Sequence, residues 1–438
     1  MFAMLKKLIK KIPFYNSLVL PYHFAKAWRA ANKYDYPAAA MKVIGVTGTN
    51  GKTTTSFMIY QMLKSAGFKV GIMSTIGYQL WTDEKLSSQT AHATTEDPEK
   101  LNQHLAKFRD AGCEYLILEV TSHALAQHRI FGVPIDIAVF TNLSHEHLDY
   151  HKTFAKYRQA KEKLFQMAAA TAKRGGRGIG IVNDDDAVAR WFVRDVPQTL
   201  TYGMENGDLL ARQVKLTASG VEYYVKTDRE KLHIKTQLPG RFNVYNSLAA
   251  VGVGLSLSLA KSQIEEGIFS LSQVAGRMNH IDEGQNFDVI IDFAHTPDAF
   301  AKLMPDLKKV AKGRVIAVFG SAGERDATKR PEMGEIAGAN CDILVLTEED
   351  YRSENVRDIM NEIAKGAEKA GKVREKDLFM VDNRESAFQF AFDLAKKDDV
   401  VLLLGKGPEE TINRGGKEFP WDEDKTARKL LKQIVAKK

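Results

Sequence analysis

Short, unbroken apolar runs separated by helix-length stretches constrain this chain more than any other feature. "VIGV" (43–46), "YLILEV" (115–120) and "IAVFTNL" (137–143) are brief and almost continuously apolar. Such runs read as parallel strands covered on both faces. Helical stretches around 56–66 and 98–111 lie between them, and this alternation predicts an α/β sheet with crossover helices. A second series begins at about 274, with "VIIDFAH", "VIAVFG", "DILVLT" and "VVLLLG" separated by helical segments such as 355–370 and 384–396. Residues 209–238 differ. They alternate polar and apolar, with turn signals at Ser219-Gly220 and Asp228-Arg229, so an antiparallel meander is expected there. The predicted class is α/β: a central domain with a mostly parallel sheet and a small meander, then a Rossmann-like α/β domain. The expected boundaries are 1–40 for an N-terminal segment, 41–273 for the central domain and 274–438 for the C-terminal one.

A length of 438 residues allows two or three domains with sizeable cores. Hydrophobic content of 44% and charged content of 27% suit a globular protein. The net charge of +7 suits anionic ligands such as nucleotides but is too diffuse to argue for nucleic acid. Cys113 and Cys341 are far apart and lack CxxC spacing. Neither a disulfide framework nor a zinc site is indicated, and a reducing cytoplasm is expected. No run approaches the roughly 18 apolar residues of a membrane span. No apolar segment typical of a signal peptide follows the first lysines.

The run at 43–46 leads into "TGTNGKTTTSF". A strand, a Gly-containing loop, a lysine and a hydroxyl, in that order, suit a nucleoside triphosphate. Backbone N–H groups of such a loop wrap phosphates, and the following helix N-terminus adds positive dipole. Lys52 would reach the outer phosphates and a threonine hydroxyl would meet Mg²⁺. The pattern GxxxxGK[ST] fails in one place, since its first glycine falls on Val46. Glu119 ends a buried strand, where a carboxylate can hold Mg²⁺ or orient a reacting group. His145, Glu146, His147 and Asp149 crowd the end of the next strand, and a metal role is expected for one imidazole.

The order of "GTNGKTTT", "TT", "EVTSHALAQHR", "TNLSHEHLDYH", "AKEKLF", "GRFNVYNSLAA", "GRMNHI", "DFAHTPD", "GERDATKRP" and "GKGPEE" resembles the Mur ligases, of the tripeptide-synthetase (MurE) type, over residues 42–438. That family's loop reads TGTNGKT, so the missing first glycine is expected. The resemblance implies an ATP- and Mg²⁺-dependent ligase. ATP phosphorylates the terminal carboxylate of a muramoyl dipeptide, and the amine of an incoming amino acid displaces the phosphate. A carboxylate is a poor electrophile, and bringing two anions together requires metals and cations.

By resemblance, Gly48, Thr49, Asn50, Gly51, Lys52, Thr53 and Thr54 hold the phosphates, with Thr53 on one Mg²⁺. Glu119 and His147 match ligands of a second metal, and Lys161 matches a lysine that the family carbamylates. A lysine of lowered pKa can add CO₂ and become an anion. Lys156 and Lys163 read as ordinary surface lysines. Asn246, Arg277 and Asp292 match nucleotide contacts, and their origin in two domains implies closure around ATP. Thr94, Thr95, Thr121, Gln127 and Arg129 match muramoyl-peptide contacts. Arg325, Arg352, Gly405 and Glu409 match the amino-acid pocket. Enzymes adding meso-diaminopimelate usually read DNPR where this chain reads "EDYR" (349–352). Arg352 suits a distal carboxylate, whereas Asp350 would favour an ammonium such as that of L-lysine. Meso-diaminopimelate is the expected amino acid. An alternative is the carboxylate-activating subunit of an amidotransferase acting on a cell-wall precursor.

Relatives of this type carry an N-terminal domain that grips UDP. The phosphate loop here begins at Val43, so no such domain is expected before it. In residues 1–12, Leu5, Leu8, Ile9 and Ile12 share one helical face and Lys6, Lys7, Lys10 and Lys11 the other. Pro13 would end that helix, and Phe14, Tyr15, Tyr22, Phe24 and Trp28 follow. A basic amphipathic helix with aromatics suits the surface of an anionic membrane. Peripheral membrane contact, a lipid-linked or UDP-linked acceptor, and a monomeric chain are the expectations.

Overall fold

The computed structural model describes residues 19–87, 94–217, 220–227 and 230–436. The amphipathic helix expected within 1–12, the stop at Pro13, and the turn residues Ser219, Asp228 and Arg229 lie outside the described residues. Two compact units form. The first takes the described residues up to Leu143, then Ala155–Leu210 and Leu248–Ile268. The second takes Ser144–Phe154, Ala211–Ser247 and the described residues from Phe269 onward.

The first unit is built on strands β1 (Lys42–Thr47), β2 (Val70–Ser74), β3 (Gly77–Gln79), β4 (Tyr115–Glu119), β5 (Ile137–Phe140), β6 (Ile179–Asn183) and β7 (Gln198–Gly203). Their order is β7-β6-β5-β1-β4-β2-β3. All pairs are parallel except β2 with β3. Strand β1 is central because it is covered on both faces, with Val43, Ile44 and Val46 fully buried. Its register pairs Val46 with Glu119 of β4 and with Val139 of β5. The chain leaving β1 therefore emerges beside Glu119.

Helix Pro98–Asp110 begins on Asp97, whose carboxylate accepts from Glu99 N at 3.2 Å, and it buries Leu101, Leu105 and Phe108 on one face. A helix at Leu20–Lys33 packs against it. Its buried residues are Ala27, Ala30 and Ala31, and Ala31 lies against Gly132, 3.2 Å from where a Cβ there would stand. Lys26 pairs with Asp97, Lys33 with Glu99, and Tyr34 Oη donates to Glu99 at 3.2 Å.

In the second unit the meander is observed. β8 (Leu209–Thr217), β9 (Gly220–Lys226) and β10 (Lys231–Thr236) pair antiparallel. Val221, Tyr223, Val225, Leu232 and Ile234 alternate inward. The register of β8 shifts between Arg212 and Lys215, where Gln213 has φ 55°.

The second series of runs gives β11 (Asn279–Ile281), β12 (Asp288–Asp292), β13 (Val315–Phe319), β14 (Ile343–Leu346), β15 (Leu378–Met380) and β16 (Val400–Leu404). Their order is β11-β12-β16-β13-β14-β15, parallel apart from β11. Helices at Pro297–Val310, Lys329–Asn340 and Val356–Lys369 contribute to one core, and those at Arg384–Leu394 and Glu423–Val435 to another. A hairpin of β17 (Thr411–Arg414) and β18 (Lys417–Pro420) follows. The α/β class with a mostly parallel sheet, a meander and a second α/β sheet is thus observed. No helix among the described residues is long and apolar enough to cross a membrane.

Candidate active site

In the first unit the site grows from the end of β1. Thr47 Oγ1 donates to Val120 O at 2.8 Å, which ties the exit of β1 to the exit of β4. The loop that follows is held from the side by the residues leaving β5. Thr49 N donates to Asn142 O at 2.8 Å and Asn50 N to Asn142 Oδ1 at 3.0 Å. Asn50 O accepts from Thr141 Oγ1 at 2.7 Å and from Asn142 Nδ2 at 3.0 Å. Helix Lys52–Ser65 then starts from Gly51, which sits at φ 82°, a left-handed position that favours glycine.

Gly48 is required for a different reason. A Cβ there would stand 1.9 Å from Thr141 Oγ1 and 3.1 Å from Asn142 N. Gly48→Ala should displace the loop at a cost of about 1–3 kcal/mol. A lower melting temperature and weaker ATP binding are expected, and wild-type values for both would contradict this account of the loop.

Four of the expected catalytic and metal residues meet here. Thr53 Oγ1 lies 3.2 and 3.1 Å from the two oxygens of Glu119. Glu119 also accepts from Thr75 N at 2.9 Å, and Thr75 Oγ1 lies 2.9 Å from Glu119 and 3.0 Å from Thr94 Oγ1. Lys52 Nζ donates to Thr49 O at 2.8 Å. Lys161 is 1% exposed and donates from Nζ to Gly48 O at 2.6 Å. The ring of Tyr157 lies 4.7 Å from that ammonium, and its hydroxyl is 3.1 Å from Thr49 Oγ1. Helix Phe154–Lys173 therefore aims Lys161 at the phosphate loop, away from solvent.

The expected acceptor residues line the next stretch of wall. Thr95 Oγ1 donates to Glu119 O at 3.1 Å and lies 3.4 Å from Thr121 Oγ1. Arg129 donates to Thr95 O at 2.8 Å and to Gln127 Oε1 at 3.0 and 2.8 Å.

The remaining expected residues belong to the second unit. His147 adopts φ 56° on the segment after β5, its Nε2 3.7 Å from Glu146. Asn246 is buried and donates to Asn243 Oδ1 at 2.8 Å. Arg277 lies over Phe293 at 4.7 Å. Asp292 closes β12 and accepts from Met278 N at 2.9 Å and Ala294 N at 2.8 Å. Burial pushes its carboxyl up, and Arg277 pulls it back. Among the described residues, no three His, Cys, Asp or Glu side chains group to hold a metal ion. Thr53 and Glu119 still fit Mg²⁺, which keeps waters and phosphate oxygens beside one or two protein groups.

Arg325 is exposed. Arg352, at φ 53°, donates from Nη1 to Gly323 O at 2.8 Å. The two loops that carry them, after β13 and after β14, are tied together by Arg330, which is 2% exposed and bonds Ala322 O at 3.2 Å and Glu354 and Glu362, each at 2.9 Å. Asp350 Oδ1 receives Lys406 Nζ at 2.8 Å and Asn413 N at 2.9 Å. An ammonium on Asp350 would therefore have to compete with a lysine already in place.

Lys406 itself is fully buried and also pairs with Glu409. Burial opposes its charge, but Glu409 and Asp350 outweigh that and hold its pKa up. Glu409 is raised by burial against the pull of Lys406. Gly405 precedes this lysine at the end of β16. Glu349 Oε2 stands 2.7 Å from where a Cβ on Gly405 would be, and Glu349 Oε2, Ser321 Oγ and Thr347 Oγ1 are buried without a hydrogen-bond partner. They follow β13 and β14, and buried oxygens of this kind ask for a polar ligand.

Lys406 and Glu349 stand within the GKGPEE and EDYR stretches, whose pattern points to no role for either, and Thr75 has no local signal at all. Lys163, expected at the surface, is half-buried, and burial holds its ammonium below the usual range.

Residues 46–254 match the Mur ligase middle domain, and residues 276–407 match the Mur ligase glutamate ligase domain. The chain is 41% identical over 419 residues to the UDP-N-acetylmuramyl-tripeptide synthetase of Roseiflexus sp. (strain RS-1), covering 92% of this chain and 81% of that protein. It is 37% identical over 414 residues to UDP-N-acetylmuramoyl-L-alanyl-D-glutamate–2,6-diaminopimelate ligase 1 of Clostridium acetobutylicum, covering 94% and 82%. A solved structure of a UDP-N-acetylmuramoyl-L-alanyl-D-glutamate–2,6-diaminopimelate ligase superposes with a TM-score of 0.61 at 28% identity, over 90% of this chain and 79% of that one. A loop of the TGTNGKT pattern backed by Glu119 and Lys161, in a chain that matches both the Mur ligase middle domain and the Mur ligase glutamate ligase domain, places the chain in the Mur ligase family of ATP-dependent amide ligases.

Proposed function

We propose that this ligase joins a diamino acid, meso-diaminopimelate in the first place, to a muramoyl-L-alanyl-D-glutamate acceptor through an acyl phosphate. The observation that carries the reading is the buried Lys161, aimed at Gly48 O beside the Thr53–Glu119 pair. Lys52, Thr54 and the loop from Gly48 to Thr53 hold the ATP phosphates, and Asn246, Arg277 and Asp292 hold the nucleoside. Thr53 would hold one Mg²⁺, which when bound neutralises phosphate charge. Glu119, His147 and the carbamate of Lys161 would hold a second ion. Thr94, Thr95, Thr121, Gln127 and Arg129 orient the acceptor so that its carboxylate meets the γ-phosphate. Residues 41–273 are then the ATP-binding domain, and 274–438 receive the amino acid. Peripheral contact of residues 1–30 with an anionic bilayer belongs to the same proposal.

In the amino-acid pocket, Arg352, Arg325, Gly405 and Glu409 receive the incoming molecule. Glu349 joins them as the acid with capacity for an ammonium, since one of its buried oxygens lacks a partner. Arg352 takes the distal carboxylate. Arg352→Ala should raise KM for meso-diaminopimelate by a charged hydrogen bond, about 1.5–3 kcal/mol or roughly 10- to 150-fold, and leave KM for ATP unchanged. The whole reading is tested by supplying ATP, muramoyl dipeptide and a panel of amino acids to the full chain. ADP, phosphate and a tripeptide containing diaminopimelate are expected. Efficient use of L-lysine with little use of diaminopimelate would overturn the assignment of Arg352. Product formed only from glutamine and a second subunit would overturn the reaction.

A further inference from the structure

The helix Leu20–Lys33 does more than pack on its neighbour, because it brings basic side chains to the end of the acceptor wall. Phe24 meets His128 edge-on at 5.8 Å and Phe131 at 5.0 Å. These contacts seat the helix against the segment that carries Arg129. His23 and Lys26 come with it, and Lys26 is fixed by Asp97. Arg129 and Lys26 lie near enough to act electrostatically on His23, and Lys163 and His23 act on His128. Burial first, and then these cations, hold both imidazoles below the ordinary histidine range. Burial is the larger cause at each ring; Arg129 and Lys26 add to it at His23 and Lys163 at His128, and Asp97 opposes it at His23.

Contacts connect this cluster to the phosphate loop. Arg129 bonds Thr95 O, Thr95 bonds Glu119 O, and Glu119 touches Thr53. An acceptor whose reacting carboxylate sits near Glu119 and Lys161, with its length along Thr95 and Thr121, would bring its far end to Arg129 and His23. Lys26, Arg129 and Lys163 supply positive charge and the two imidazoles supply ring N–H donors, a set that the several oxygens of a diphosphate would engage more fully than a single carboxylate. We propose that His23, Lys26, His128, Arg129 and Lys163 form a site for the diphosphate that links the muramoyl acceptor to its carrier. This rests on the ligase reading above. The residues from the helix Leu20–Lys33 would supply part of the grip. Nucleotide-linked and lipid-linked acceptors share this diphosphate chemistry.

The test uses the full chain with Mg²⁺ and ATP and three acceptors: UDP-linked muramoyl dipeptide, the same dipeptide on a polyprenyl diphosphate, and the dipeptide with no carrier. His23→Glu and Lys163→Glu, on separate elements, should each raise KM for a diphosphate-linked acceptor tenfold or more. KM for ATP and for the carrier-free dipeptide should stay within twofold. An effect on one linked acceptor alone identifies the carrier and supports the site. Equal changes for carrier-free and linked acceptors, or no change in either variant, would overturn it. Inorganic pyrophosphate titrated into the ADP-saturated protein gives a readout independent of turnover. It should move the His23 and His128 ring resonances in the wild type and far less in Lys163→Glu. If the wild type turns over no acceptor, the ligase reading fails, and the pyrophosphate titration still decides the site: unmoved resonances sink it.

Discussion

Lys161→Met should leave a folded protein that ligates about 10²–10³-fold more slowly, the scale set by losing one preorganised charged group. Stability and activity should move apart. Lys161 is 1% exposed, and methionine keeps most of its length and volume. Burying an ammonium is costly even when it bonds Gly48 O and faces the ring of Tyr157. Removing that charge should leave the melting temperature equal to or above that of the wild type. The loss of rate follows from the proposed carbamate, which only lysine can form. Chloride or short carboxylates should partly restore Lys161→Ala by placing an anion in the vacated space. Turnover near the wild-type value in Lys161→Met would remove Lys161 from the chemistry.

Lys52→Ala is expected to cost about 10²–10³-fold in kcat, since a positive charge aimed at the transferring phosphoryl group counts most in the transition state. In the structure its ammonium folds onto Thr49 O at 2.8 Å, over the loop that would wrap the phosphates. The loop is fastened independently by Asn142 and Thr141, so the substitution should leave its shape and the melting temperature little changed. Steady-state kinetics on ATP separate the outcomes. A large fall in kcat fits the assignment, and near-normal turnover refutes it.

Most of the fold is legible because burial on both faces leaves an unmistakable pattern. β1, β4, β5, β12, β13, β14 and β16 all stand in the apolar runs of the sequence. β2 and β6 are harder to read, since Gly71 and Gly180 interrupt their runs. Those glycines exist because Phe108 and Phe165 pack onto them, at 2.9 and 3.2 Å from where a Cβ would stand. β15 and β11 have three residues each, too few for any period. The helix Leu20–Lys33 is missed because its packing face is alanine, which resembles no apolar stripe, while Tyr22, Phe24 and Trp28 remain exposed.

The site divides in the same way. Lys52, Thr53 and Glu119 announce themselves by position at strand ends. Thr75 does not, because its role comes from β2 lying beside β4, a fact of topology. The competition of Lys406 for Asp350 joins residues 56 positions apart. The letters "EDYR" alone leave Asp350 open to a ligand, and only packing shows which donors it already receives.

The central claim is that ATP activates the acceptor's own carboxylate. It is tested most directly by labelling that carboxylate with ¹⁸O and following the label through one turnover with ATP and meso-diaminopimelate. The account predicts one labelled oxygen in the released phosphate, the other retained in the product, and ADP formed in equal amount. Unlabelled phosphate, with both labelled oxygens elsewhere or AMP as the nucleotide product, would contradict it.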